Sequence, residues 1–99
     1  MNRIDEFIMS FPKAKTQTTY RCHLNKYFET IKVDPEKYFD SKRDYEQDVK
    51  TYWMTLTEYT PTTRNMKLST IKQFLEVNDI DLSTQFWKKL KEGEEATDQ

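Results

Sequence analysis

The sequence predicts an all-α fold, a compact bundle of four to five helices, and three observations lead there. Glycine occurs once and proline three times in 99 residues, while Lys, Glu, Gln, Leu and Met are abundant; a chain so poor in turn residues and rich in helix formers favours helix. Aromatic residues make up 14% of the chain, and each ring buries a large area, which argues against disorder. Apolar residues also recur at the spacing of one helical face in segment after segment. The length suits one small domain with a modest core and is too short for two.

Each element follows from local signals. Residues 3–10 read as a short first helix with Asn2 as N-cap and Ile4, Phe7, Ile8 and Phe11 as its apolar side, ended by Pro12. A second helix is expected from Thr16, as N-cap, to about Lys32. Its stripe of Tyr20, Leu24, Tyr27, Phe28 and Ile31 follows i, i+4, i+7, i+8, i+11. Asp34-Pro35-Glu36 opens a short turn running through Phe39. Ser41 or Asp44 then starts a third helix to about Glu58, with Tyr45, Val49, Tyr52, Trp53 and Leu56 facing inward. The fourth has Thr60 as N-cap and Pro61 at its first position, and runs to Val77. Leu68, Ile71 and Leu75 form its inner face, with Phe74 at the edge, and Asn78-Asp79 breaks it. Ser83 caps a last helix over 84–91 that buries Phe86, Trp87 and Leu90. Residues 1–91 thus form the domain, and 92–99, lacking an apolar face, read as a linker or tail.

The chemistry that is missing excludes most functions. His23 is the single histidine, and neighbouring Cys22, the single cysteine, projects about 100° away from it around the helix. Neither a metal pair nor a nucleophile–base pair results, so His23 reads as a partly exposed helix residue. One glycine cannot build a phosphate loop, and the carboxylates read as solvated surface charges. No catalytic residue, metal ligand, cofactor or small-molecule substrate is expected. A single cysteine, with no membrane-length apolar run and an N-terminus broken by Asp5 and Glu6, points to a soluble chain in the cytoplasm.

Net charge is −1, yet its distribution is uneven. Residues 11–28 contain Lys13, Lys15, Arg21 and Lys26 without an acid, and residues 59–75 contain Arg64, Lys67 and Lys72, again without one. Between them, 33–58 carries seven acids against four cations. Cations with short hydroxyl or amide side chains suit a phosphate backbone, where lysines release counterions and Ser, Thr and Asn hydrogen-bond phosphate oxygens. On the second helix the candidates are Lys15, Thr18, Arg21 and Asn25. On the fourth they are Thr62, Thr63, Arg64, Asn65, Lys67, Ser69 and Lys72. Of these, Thr62, Asn65, Ser69 and Lys72 fall within about 80° of the helical wheel.

These same residues resemble the core-binding domain of tyrosine recombinases, the SAM-like N-terminal domain of phage-type integrases. Thr16, Tyr20, Leu24 and Tyr27 match the spacing of that family's second helix. Thr63, Asn65, Leu68, Ser69, Ile71, Lys72, Phe74 and Leu75 match its fourth, where Thr70 replaces a small alanine. The ending N-D-I-D-L-S-T-Q-F-W-K-K-L-K is similar to archaeal integrases in particular. Two positions depart from the pattern: Arg64 stands where the family has an apolar residue, and Met66 where it has arginine. The resemblance implies half of a clamp on double-stranded DNA, with the second and fourth helices toward the major groove beside the crossover site. It implies other integrase subunits in a tetramer, and a catalytic domain further along the parent chain that supplies the catalytic set, so no tyrosine here is a nucleophile. The alternative expectation is a helical protein-interaction domain without DNA contact.

Overall fold

The computed structural model describes residues 3–40 and 42–96. These described residues form five α-helices and one short 3-10 turn: α1 (Arg3–Met9), α2 (Ala14–Ile31), the 3-10 turn (Tyr38–Asp40), α3 (Tyr45–Met54), α4 (Pro61–Val77) and α5 (Thr84–Ala96). The chain is all-α, as the glycine count and periodicity predict. The N-cap expected at Asn2 and the start expected at Ser41 lie outside the described residues.

α2 is the central element and packs against α1, α3 and α4, while α5 packs against α3 at one edge. The core is largely aromatic. Phe7 of α1, Phe28 of α2 and Phe39 of the 3-10 turn all meet Phe74 of α4, at centroid separations of 5.4, 5.9 and 5.7 Å. Phe74 is therefore completely buried rather than at an edge. The wheel of α4 alone could not show this, because α1 and the turn supply the cover. Tyr27, Tyr38 and Tyr52 are also fully buried. The Tyr27 and Tyr38 hydroxyls pair at 2.6 Å, and burial pushes both phenols well above their ordinary range.

Both ends of α4 and the start of α3 follow the sequence signals. Thr60 accepts from the Thr63 N–H with Pro61 in the first turn of α4, and Asp79 takes a left-handed φ of 67° just beyond its end. Asn78 donates to the Phe74 carbonyl at 2.8 Å and accepts from Arg3 at 2.6 Å, so the stop also ties α1 to α4. Asp44 caps α3 through the Gln47 N–H at 3.1 Å.

Three boundaries differ by more than one residue. α2 begins at Ala14, not after Thr16, because the Gln17 N–H already reaches the Lys13 carbonyl at 3.0 Å; Gln17 also anchors this turn by donating to Phe11 O at 2.6 Å. α3 stops at Met54 instead of Glu58. Thr55 bonds the Tyr52 carbonyl through both its N–H and its hydroxyl, and the next turn tightens to i→i+3 bonding, a competition typical of threonine. α5 continues to Ala96, into the stretch read as tail. Glu and Ala are strong helix formers, and extending an existing helix needs no new nucleus.

Contrary to the expectation that the carboxylates are solvated surface charges, one of them is internal. Asp48 is buried and held by Arg43 through two hydrogen bonds of 2.9 and 2.8 Å. This bidentate pair raises the Arg43 pKa. Among the described residues no helix is long and apolar enough to cross a membrane.

Candidate nucleic-acid interface

The two acid-free helices pack directly on one another. Besides Phe28 against Phe74, the contact is polar: His23 Nδ1 lies 2.8 Å from Thr70 Oγ1. Thr70 donates its hydroxyl hydrogen to the Met66 carbonyl at 3.2 Å. Its remaining lone pair then accepts from His23, which requires the Nδ1–H tautomer. His23 is buried, contrary to the partly exposed position expected, and burial followed by the charge of Lys67 lowers its pKa. The sequence held a signal for this. His23 lies three residues after Tyr20 and four before Tyr27, so it borders the buried stripe. Thr70 is the residue that replaces the small alanine of the resemblance, and it is completely buried as the partner of His23.

This seam sorts the predicted residues. On α4, Thr62, Asn65 and Ser69 are exposed and form a polar strip. Ser69 accepts from the Gln73 amide at 3.3 Å. Thr63 and Lys67 are half-buried on the side toward α2, with the Lys67 ammonium 4.9 Å from the centre of the Tyr59 ring. Lys72 leans toward α5, its ammonium 5.8 Å from the Trp87 ring centre. On α2, Lys15, Thr18 and Asn25 are exposed, and Thr18 donates to the Ala14 carbonyl at 3.1 Å. Arg21 is turned to α1, where it pairs with Asp5 at 2.7 Å.

Arg64 leaves the set. It is only 6% exposed, and its guanidinium carbon sits 4.1 Å from the centre of the Trp53 ring on α3. It occupies the first position of the buried stripe Arg64, Leu68, Ile71, Leu75, spaced i, i+4, i+7, i+11. Its planar, weakly hydrated cation can be buried against an aromatic face. Arg64, the first departure from the resemblance, thus lies internally against an indole ring. Met66, the second departure, is 56% exposed beside the seam.

Sequence reasoning missed Lys26. It is exposed and three residues beyond His23, which places it on the α4 side of α2; its nearest acid is Glu29, at a loose 3.9 Å. Its presence in the acid-free stretch was a signal, but its relation to α4 needed the packing. No group of three or more His, Cys, Asp or Glu able to hold a metal ion exists among the described residues. The chain matches no protein-family model, no curated protein and no solved structure.

Proposed function

We propose that this domain is a non-catalytic duplex-DNA-binding module of a site-specific tyrosine recombinase, holding DNA beside the crossover site while a catalytic domain on the parent chain does the chemistry. One observation carries the reading: α2 and α4, the two helices whose basic stretches lack acids, pack directly together through His23 and Thr70. A phosphate backbone along that seam meets lysines and hydroxyls, with no carboxylate from 13–28 or 60–75. Lys26 of α2 and Lys67 of α4 flank the seam, and Thr62, Asn65 and Ser69 extend it along α4. Recognition of this kind is mostly backbone positioning.

The test is NMR shift mapping with a duplex at low salt. Shifts are expected at Lys26, Thr62, Asn65, Lys67 and Ser69. With about four phosphates neutralised, affinity should fall roughly tenfold for each doubling of salt. Shifts confined to α1 and α5, or affinity insensitive to salt, would refute the reading.

A further inference from the structure

The outward face of α4 differs in kind from its margins. Thr62, Asn65, Met66 and Ser69 are exposed and Gln73 is half-buried. All fall within about 100° of the helical wheel, turned away from the buried stripe of Leu68, Ile71 and Leu75. None carries a charge. Glu76, the next exposed residue on this face, is its first acid and ends the strip. A helix face that only meets solvent is commonly laced with charges of both signs.

Cations stand beside the strip instead of on it. Lys72 lies about 20° beyond Asn65 on one margin. Lys67 of α4 and Lys26 of α2 lie toward the seam on the other. An uncharged strip between cations matches the section of a duplex groove, where phosphates line the edges and base edges form the floor.

Residue type then decides which bases the strip suits. Asn and Gln pair with adenine through N6 and N7, and an apolar group rests on the thymine methyl. Guanine calls for Arg or Lys, and the cytosine amino group for Asp or Glu. The strip holds two amides, Asn65 and Gln73, and the thioether of Met66, with no cation for guanine and no carboxylate for cytosine. Gln73 donates to Ser69 Oγ at 3.3 Å, and an amide with two N–H groups and an oxygen can make that bond and still pair with adenine. Asn65 to Gln73 is about 12 Å of helix, or about three to four base steps of 3.4 Å.

We infer that this strip reads base edges in the major groove and selects A·T pairs, with Asn65 and Gln73 toward adenine and Met66 toward a thymine methyl. This role rests on the duplex-DNA reading above and adds the residues that discriminate sequence. The lysines beside them hold phosphates of any sequence.

The experiment is selection of randomised duplexes on the whole domain at low salt, followed by single-atom changes in the selected site. A·T pairs should be enriched over about three or four adjacent positions. Replacing adenine there by 7-deazaadenine, which lacks the N7 acceptor, should weaken binding about fivefold or more; Asn65→Ala should lose that sensitivity at one position. Replacing thymine by uracil, which lacks the methyl, should weaken the native domain about three- to fourfold and leave Met66→Ala unaffected. Such changes separate base contact from groove shape. Both substitutions are at exposed positions and remove no charge, so the salt dependence should stay that of the native domain. Salt-dependent binding without sequence enrichment would overturn base reading and leave the duplex reading standing. Enrichment of G·C pairs, or base changes felt equally by the native domain and the variants, would overturn it too. Binding to no duplex at all would overturn both.

Discussion

The bundle has two sides that solve the same packing problem differently. Around α2, two buried polar pairs are matched: the Tyr27 and Tyr38 hydroxyls with each other, and His23 with Thr70. Where α3 meets α5, Trp53 Nε1 is buried without a hydrogen-bond partner among the described residues, and a groove stays open. Unmatched donors and unfilled volume each carry a cost. The first side has the character of a finished core, and the second leaves a groove open between α3 and α5.

The largest test of this contrast is truncation. Phe74→Ala removes a ring shared by three elements and is expected to cost about 3–5 kcal/mol by denaturant unfolding. Leu90→Ala, on the groove side and 9% exposed, should cost less than about 2 kcal/mol, because truncation widens an open groove instead of leaving a closed cavity. Equal losses would remove the distinction between the two sides.

A finer test changes one oxygen. Tyr27→Phe breaks a buried pair and should destabilise by about 1–2 kcal/mol. Tyr52→Phe deletes a hydroxyl that bonds to nothing described, and should be neutral or stabilising by up to about 1 kcal/mol. A large loss from Tyr52→Phe would mean that its hydroxyl has an acceptor after all.

The smallest expected effect is a slope against pH. The folded pKa of His23 lies below its ordinary 6.5, so below that pH the unfolded chain binds the proton first. Stability should be full near neutral pH and fall as pH drops through 6.5 toward the folded value. His23→Gln should flatten this part of the curve, as followed by denaturation at several pH values. An unchanged slope would place the titration elsewhere.

Much of the fold was legible one element at a time. Thr60 with Pro61, Asp44, and the Asn78-Asp79 stop each act within a few residues, and the local hydrogen bonds that define them are present in the sequence before any packing. The failures share a physical origin. α2 and α3 differ at their ends because backbone bonds at Lys13 and the Thr55 hydroxyl outweighed the caps and stripe expected from residue type. Phe74 and His23 were misplaced because one helical wheel shows only one helix, whereas burial is decided by the neighbours that cover it.

The candidate site divides along the same line. By itself the sequence determined that two stretches carry lysines and hydroxyls without acids, because charge content is a property of composition. Only the tertiary structure decided which of those groups face outward. It turned Arg21 toward Asp5, set Arg64 on the face of Trp53 and brought Lys26 beside the seam with α4. Whether a cation meets solvent or an aromatic ring depends on what lies across from it, and what lies across is chosen by the packing of distant segments.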